Sequence, residues 1–402
     1  MMARRIPISF GLGLIVLIWA NIARTLRQPL DWAEAQWLVS YAYGFIRRGL
    51  VGEVWARLGL THSVDLAYGS ILLTACALLV GMSWLVWRVC VRIFALSGGS
   101  AGAVWVGIVF ATSHYVGMSG HLLGYYDHLL ALLGGGILLL TLHRRYRWLC
   151  LLQVVAMLVH ENYLFVPYPI VVWLWLQQRE RPITRRALLG QLVAVFSPLA
   201  VFVVIVFSQL APTNETHFAQ LDTHLRQYPF VAGDHGYKYA LTLTHNFVAH
   251  LVVQNETPLQ RIASPYYWGR IVPTVVTMVL LVGYALPSRM MSRATVFGLG
   301  AIFAPLLLTL IAFDTGRIWG FVTFNALLWG WMSLETAPPL APVRLPRWGV
   351  GLCLAVIGLQ AWLPIVLMDE RQDAPMWYRV GVGLLAVGVG VISTRPTLTN
   401  KI

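Results

Sequence analysis

The stretch WLCLLQVVAMLVHENYLFVPYPIVVWLWLQ, residues 148–177, decides how this chain is organised. Its residues are almost all apolar, and as one helix they would be about 45 Å long. That length exceeds the roughly 30 Å hydrocarbon core of a bilayer. Arginines flank the stretch on both sides: Arg144, Arg145 and Arg147 before it, and Arg179, Arg181, Arg185 and Arg186 after it.

Basic flanks favour the cytoplasmic side of a membrane, so this segment is predicted to enter the bilayer and return. It then forms two short helices with a turn near His160-Glu161-Asn162. Pro167 and Pro169 would lie early in the returning helix. One long, kinked helix is the alternative interpretation.

The composition indicates that the solvent of this chain is mostly lipid. Of its 402 residues, 58% are hydrophobic and 11% are charged, against roughly 25% charged in a soluble domain. A soluble globular enzyme, a disordered chain and a disulfide-built secreted domain are thereby excluded. The formal net charge of +13 does not indicate nucleic acid, because a basic patch needs a water-facing surface. The four cysteines lack metal-ligand spacing, and we expect neither a metal nor a cofactor.

The apolar runs predict an all-α, polytopic integral membrane protein, with residues 1–402 forming a single transmembrane domain. The hairpin counts as two of about 12 transmembrane segments, and both termini are cytoplasmic. The other predicted spans are 7–23, 66–87, 101–118, 129–142, 187–210, 268–287, 295–313, 318–334, 349–367 and 380–394.

The charges sort by side in this topology. The cytoplasmic loops hold 17 of the 29 basic residues, whereas only Glu180 and Glu335 of the 16 acidic residues fall there. Acidic residues contribute little to orientation, so their outward bias indicates chemistry on the outer face. Two outer segments are long: 24–65, with an interfacial helix, and 211–267, predicted to contain helices near 216–228 and 237–253.

The first candidate site is Asp31-Trp32-Ala33-Glu34, just outside the first span. Two carboxylates three residues apart share one face of a helix. Asp31 or Glu34 is a candidate catalytic base that takes the proton of an acceptor hydroxyl. The alternative is a capping box, with Asp31 as N-cap and Glu34 at the third helical position.

The second candidate is the adjacent pair Arg47 and Arg48, which lies on the outer side against the positive-inside tendency. Guanidinium groups suit phosphate oxygens, so the pair is predicted to bind a lipid diphosphate. Gly49 and Gly52 would let the backbone approach that ligand closely. The alternative is an interfacial helix whose arginines extend to lipid headgroups.

Further candidates lie at predicted outer turns. Asp127 opens a span and is a candidate base or a simple helix cap, and His128 beside it is a candidate substrate-binding group. His160 and Glu161 are further catalytic candidates, an ionisable pair at the hairpin tip that is functional by default in a membrane and could orient a hydroxyl or relay a proton. The alternative is a structural ion pair between Glu161 and an arginine.

The last candidates bind substrate. Asp314-Thr315-Gly316-Arg317 is a turn between two apolar runs, and Arg317 is predicted to be a second clamp for phosphate or carboxylate. Arg270 follows the long outer segment and joins the same predicted set.

The ordered motifs RRGLVG at 47–52, YYDHLLAL at 125–132, HENYLFVPYP at 160–169 and DTGR at 314–317 carry a resemblance. Over about residues 1–334 the chain resembles polytopic membrane proteins of bacterial capsule and O-antigen gene clusters. These are regarded as oligosaccharide-repeat-unit polymerases or related lipid-donor glycosyltransferases of the GT-C type. The resemblance implies a bacterial inner-membrane location and a polyprenyl-diphosphate-linked glycan, undecaprenyl diphosphate being the carrier.

The resemblance also implies roles for residues. GT-C enzymes place an essential acid in the first outer loop, where Asp31 and Glu34 lie. Outer arginines of O-antigen polymerases and ligases act on the diphosphate, a role open to Arg47, Arg48 and Arg317. The chain lacks the soluble outer domain of many GT-C enzymes, and polymerase and single-sugar transferase both stay open.

Two other classes of function compete with the glycosyltransferase. A transporter or flippase for a lipid-linked glycan accounts for 12 crossings, although the sequence has no evident internal repeat of the kind common in transporters. A non-catalytic membrane scaffold fits the loop lengths but leaves the outer arginines unexplained.

Overall fold

The protein is a bundle of helices. The computed structural model describes residues 7–178, 184–208, 214–231, 234–244, 262–286, 293–310, 314–337, 345–367, 370–371 and 373–394. The bundle helices are α1 (Ile8–Ala23), α4 (Val64–Leu96), α5 (Ala101–Ala111), α6 (His114–His121), α7 (Asp127–Leu142), α8 (Tyr146–Val159), α9 (Tyr168–Gln177), α10 (Arg185–Ser208), α13 (Pro265–Ala285), α14 (Arg293–Phe303), α15 (Thr315–Thr336), α16 (Arg347–Trp362) and α17 (Met376–Thr394).

Shorter elements lie between the bundle helices. They are α2 (Asp31–Leu38), α3 (Gly49–Arg57), α11 (Asn214–Leu225) and α12 (Asp234–Thr244), and the 3-10 turns Tyr41–Tyr43, Glu161–Leu164, Pro229–Val231 and Ala304–Leu310. Strands β1 (Val366–Leu367) and β2 (Glu370–Arg371) form one antiparallel pair. Of the long segment 211–267, residues 211–213, 232–233 and 245–261 lie outside the described part of the chain, and with them most of the predicted helix 237–253.

Five helical stretches of the described chain are long and apolar enough to cross a membrane: Val64–Leu96, Ala101–His121, Arg185–Ser208, Pro265–Ala285 and Met376–Thr394. Shorter apolar helices cover most of the other predicted spans. The all-α prediction is therefore confirmed, and the length and composition of these helices indicate a membrane protein. We call the end that carries residues 24–65 the outer end and the opposite end the inner end, after the predicted orientation.

Residues 148–177 form a hairpin. Helix α8 ends at Val159, a 3-10 turn spans Glu161–Leu164, and α9 begins at Tyr168. The side-chain amide of Gln178, just after α9, donates to the carbonyl oxygen of Leu142, just before α8, at 3.2 Å. The two ends of the segment therefore lie side by side. The prediction of two helices is confirmed, and the single kinked helix is wrong.

The core of the bundle is built around α15. Almost every side chain from Thr315 to Leu334 is buried, and α5 and α6 are buried nearly as completely. A helix that is apolar on all sides belongs inside other helices. Helices α1, α4, α10 and α17 instead expose rows of large apolar side chains, such as Leu73, Phe207 and Leu384, which suit a lipid surface.

The predicted span 101–118 consists of two helices, because the backbone breaks at Thr112 and Ser113. Ser113 caps α6 by accepting from the backbone N–H of Val116. The amide of Asn21 on α1 donates to the carbonyl oxygens of Ala111 at 3.0 Å and Ser113 at 2.9 Å. Backbone polar groups that a break frees inside a bilayer must be paired within the protein, and Asn21 supplies that pairing.

Candidate functional site

Asp31 and Glu34 face a cleft at the outer end. Helix α2 begins at Asp31, but its N-cap residue is Leu30 and no side chain caps it, so the predicted capping box is wrong. An N-cap needs its side chain directed at the free N–H groups of the first turn, whereas the acids border the cleft. The cleft has a volume of about 430 Å³ and its walls are Gln28, Pro29, Leu30, Asp31, Glu34, Val64, Asp65, Tyr68, Pro229 and Phe230.

The pKa of the Glu34 carboxyl is raised into the neutral range. Burial, and next the charge of Asp31, raise the pKa of Glu34 from 4.5 to about 7. A carboxylate with a pKa near the working pH is suited to accept a proton during a reaction. Glu34 therefore has the property of a base, and it borders the cleft.

Arg47 and Arg48 converge on Glu161. The guanidinium of Arg48 donates two hydrogen bonds to the Glu161 carboxylate, from Nε to Oε2 at 3.0 Å and from Nη2 to Oε1. Arg47 adds a longer contact from Nη1 to Oε1 at 3.5 Å and donates from Nη2 to the carbonyl oxygen of Thr242 on α12. Arg47 is buried, so the alternative in which both arginines extend to lipid headgroups is wrong.

Arg48 holds this position in an unusual backbone conformation. Its φ is +65°, in the left-handed region that costs an ordinary side chain energy. The bend turns the chain into α3, whose N-cap residue is Arg48. Burial opposes the charge on Arg48, but the contact with Glu161 prevails and raises the pKa of the guanidinium. Arg48 is therefore fully charged inside the protein.

The two glycines after Arg48 do not leave space for a ligand. A Cβ at Gly52 would lie 2.0 Å from the carbonyl oxygen of Val39, and a Cβ at Gly49 would lie 2.7 Å from the Tyr41 ring. The small residues let α3 pack closely against residues 39–41. The predicted approach of a ligand to Gly49 and Gly52 is wrong.

His160 links Arg47 and Arg48 to Arg317. Its Nδ1 accepts from the backbone N–H of Asn162 at 3.1 Å, which shapes the hairpin turn. Burial lowers the pKa of His160 well below its ordinary value, and the charges of Arg48, Arg317 and Arg47 lower it further while Glu161 opposes them. The imidazole is therefore neutral, and three guanidinium groups lie within electrostatic reach of one ring.

Arg317 pairs with Asp127. The two side chains are 2.8 Å apart, and the guanidinium also lies over the Tyr125 ring at 5.0 Å. Asp127 opens α7, but no side chain caps that helix, so the capping alternative for Asp127 is wrong. The cap among these residues is Asp314, whose carboxylate accepts from the backbone N–H of Arg317 at 3.2 Å. His128 is buried, close to the Ser119 backbone and to Asp127.

We call the residues around His160 the outer charge cluster. Its arginines are Arg47, Arg48 and Arg317, and its acids are Asp127, Glu161 and Asp314. The three cations of the cluster face three anions. In the described part of the chain, the buried Nε atoms of Arg47 and Arg317 make no hydrogen bond, so the cluster keeps capacity to donate.

Helix α2 stands between the outer charge cluster and the cleft. The Trp32 ring on α2 packs edge-on against Tyr239, with ring centroids 5.3 Å apart, and Tyr239 in turn lies beside Arg48. Asp31 and Glu34 border the cleft instead. Of the three predicted bases, Asp127 thus belongs to the outer charge cluster, and Asp31 and Glu34 belong to a separate surface.

Arg270 does not join this cluster. It is 1% exposed and donates to carbonyl oxygens at the end of α16, those of Gln360, Leu363 and Pro364. The last carbonyls of a helix lack partners and carry partial negative charge, and the guanidinium satisfies both needs. In the structure Arg270 therefore caps the end of α16, and its predicted role in substrate binding stays a prediction.

A second set of charges surrounds the same helix end and was missed in the sequence. Arg24 donates two hydrogen bonds to the Asp373 carboxylate, at 3.0 and 2.9 Å, and Arg379 lies 3.4 Å from the same carboxylate. Arg24 follows the first span on the outer side, as Arg47 and Arg48 follow it further on. That shared departure from the positive-inside tendency was the signal for Arg24, but nothing in the sequence marked Asp373 as its partner.

No protein-family model, curated protein or solved structure matches this chain.

Arg270→Met removes the donor while keeping a side chain of similar length. We expect the free energy of unfolding to fall by about 2–4 kcal/mol, because buried carbonyl oxygens at the end of α16 lose a charged partner. Thermal unfolding of the purified protein in detergent measures this change. Arg57→Met is the matched control, since Arg57 forms an exposed i,i+4 pair with Glu53 worth at most about 1 kcal/mol. Equal stability of the two variants would contradict the capping role.

Proposed function

We propose that this protein is a bacterial inner-membrane glycosyltransferase or polysaccharide polymerase that uses a polyprenyl-diphosphate-linked glycan donor at the outer end of the bundle. The observation that carries the proposal is the outer charge cluster. Arg47, Arg48 and Arg317 come from distant parts of the chain and meet around His160.

The energetic cost of burying the charges of the outer charge cluster supports a role for them in function. Charges removed from water lose solvation that even a well-formed ion pair only partly restores. Replacing such pairs by apolar residues is often neutral for stability, so packing alone gives little reason to keep them. An ionisable group within a membrane protein is functional by default, and the left-handed backbone at Arg48 adds a further cost.

The ligand that fits is a diphosphate. Guanidinium groups bind phosphate oxygens in pairs of hydrogen bonds, and the buried Nε atoms of Arg47 and Arg317, which make no hydrogen bond in the described chain, can donate to an anionic ligand. The substrate phosphates would replace Glu161 and Asp127 as the acceptors of Arg48 and Arg317. As the bond from the donor sugar to the diphosphate breaks, negative charge grows on the leaving group, and fixed arginines stabilise it.

The catalytic base is assigned to Glu34. Its pKa of about 7 makes it a better proton acceptor than an acid held in an ion pair, as Asp127 is. The cleft beside it admits an acceptor sugar, and Asp31 in the same cleft helps to keep the pKa of Glu34 high. His160, His128 and Asp314 then position the arginines and the turn around the phosphates.

The contacts between distant residues support 12 crossings. Arg24 with Asp373, Arg48 with Glu161 and Arg317 with Asp127 meet at one end. At the other end Arg92 meets Glu335 at 2.7 Å, and Gln178 meets Leu142. In this proposal successive bundle helices connect opposite ends, with α5 and α6 counted as one crossing and α14 with its 3-10 extension as another. The basic loops then lie in the cytoplasm.

A transporter or flippase for a lipid-linked glycan is the competing function. The separation of Asp31 and Glu34 from the arginines by α2 favours it, because a transporter needs the diphosphate site but no base beside it. Purified protein in liposomes that moves the lipid without forming glycosidic bonds would establish that function and overturn the transferase.

Removing both partners of one ion pair separates its structural role from its role in binding. Arg48→Met alone leaves Glu161 without its main partner, so we expect lower stability. The double variant Arg48→Met with Glu161→Gln should recover most of that stability, because neither charge is then left unpaired. Despite its recovered stability, the double variant should bind farnesyl diphosphate, a short soluble probe, at least about tenfold more weakly than the unchanged protein does. A loss of this size is typical of one charged hydrogen-bond partner.

Titration calorimetry in detergent measures the binding, and thermal unfolding measures the stability. Arg57→Met controls for the loss of one positive charge at the outer end. A double variant that binds the diphosphate as tightly as the unchanged protein would reduce Arg48 and Glu161 to a structural pair, and the proposal would fail.

The pH dependence tests Glu34. Glycan transfer should rise with pH through about 7 as Glu34 loses its proton. Stability should change in the opposite direction: because folding raises the pKa of this acid, its contribution is complete below pH 4.5 and is lost as the pH rises through about 7. Glu34→Gln should abolish transfer and flatten the stability profile.

Glu53→Gln changes another acid of the same outer segment and serves as the control. A rising limb near pH 7 that persists in Glu34→Gln would assign the base to another group.

A further inference from the structure

A cleft with basic walls opens at the inner end, opposite the outer charge cluster. It lies between α7 and α8 and has a volume of about 810 Å³. One wall is apolar and the other is basic. The apolar wall is Gly136, Leu139, Leu140 and Leu152, and the basic wall is the connecting turn His143, Arg144 and Arg145.

The turn places an arginine where helices usually place glycine. The backbone N–H of Arg145 donates to the carbonyl oxygen of Leu140 at 2.8 Å, and that of Arg144 donates to Thr141 at 3.0 Å. This pattern ends a helix with a left-handed residue, most often glycine. Arg144 has a φ of +58°, and of the non-glycine residues described only Arg48 shares a positive φ. A left-handed backbone costs an arginine conformational energy, and this cost points to a use for the Arg144 side chain.

The basic wall is not neutralised by the acids that the structure describes near it. Arg144 donates only a long hydrogen bond, at 3.4 Å, to the carbonyl oxygen of Gln178. The described carboxylate at the inner end, Glu335, is already bonded to Arg92 and Trp331. His143, Arg144 and Arg145 are all exposed and line the cleft, so the positive charges of the two arginines are available at its mouth.

The cleft opens where the bundle surface passes from apolar to charged. Trp148 and Leu151 on the adjoining helix α8 are 64% and 55% exposed, which is typical of side chains at and just below a membrane interface. A molecule in the cleft would therefore have its polar part at the interface and its apolar part along the helices.

We propose that this cleft binds a membrane phospholipid with an anionic headgroup. The phosphate lies against Arg144 and Arg145, with His143 at its side, and one acyl chain follows the groove along Gly136 and Leu152. Basic pockets between helices at the cytoplasmic interface attract anionic lipids, and 810 Å³ accommodates a headgroup with part of a chain. This site is independent of the outer charge cluster and of the reaction proposed there.

The test uses the full-length protein in detergent with added dioleoyl phosphatidylglycerol, and the matching phosphatidylcholine as a neutral lipid. Phosphatidylglycerol should raise the unfolding temperature more than phosphatidylcholine does. Arg144→Gly should weaken the apparent affinity for phosphatidylglycerol about fivefold, and Arg144→Gly with Arg145→Gln about 25-fold. Glycine suits the left-handed position, so Arg144→Gly should be at least as stable as the unchanged protein without lipid.

Arg186→Gln is the matched control, because Arg186 is an exposed arginine at the start of α10 and lies outside the cleft. It should leave the lipid effect unchanged. A phosphatidylglycerol effect that survives in the double variant would overturn the proposal. An equal stabilisation by inorganic phosphate alone would also overturn it, since the site would then be one for free anions.

Discussion

The carboxylate of Glu161 is the point on which the outer end depends. It sits at the tip of the α8–α9 hairpin and holds two arginines that precede it by more than 100 residues. A buried carboxylate without partners would carry a large desolvation cost, and so would either arginine. The requirement that these charges be paired therefore fixes the hairpin against the segment that leads into α3, and that segment positions Arg48 toward His160 and Arg317.

The same requirement explains the rest of the charge arrangement. Asp127 pairs with Arg317, Asp373 pairs with Arg24, and Arg270 pairs with the carbonyl end of α16. Each pair joins helices that are far apart in sequence, so the polar contacts hold the bundle together where apolar packing in lipid gives little preference. The outer charge cluster differs from the Arg270 site in its acceptors: its arginines bond mainly to carboxylates, whereas Arg270 bonds to backbone carbonyl oxygens and to the Tyr266 hydroxyl.

The sequence predicts the helices well because an apolar helix is a local property. Apolar runs end at charges and at helix-capping residues, and α1, α7, α10 and α17 begin within a few residues of their predicted positions. The hairpin was predictable because both of its flanks are basic. The break between α5 and α6 was not, since it depends on Asn21, about 90 residues away. For the same reason Tyr239 and Thr242 beside the arginines, and Asp373 beside Arg24, carry no local signal. The cap assigned to Asp31 failed because residue type alone does not set the direction of a side chain.

The central claim is that the outer charge cluster opens to take a diphosphate. A structure of the protein with undecaprenyl diphosphate bound in a lipid nanodisc tests it most directly. The account predicts phosphate density in contact with Arg47, Arg48 and Arg317, with the carboxylates of Glu161 and Asp127 displaced from those arginines. A bound diphosphate located elsewhere, with both ion pairs intact, would contradict the account.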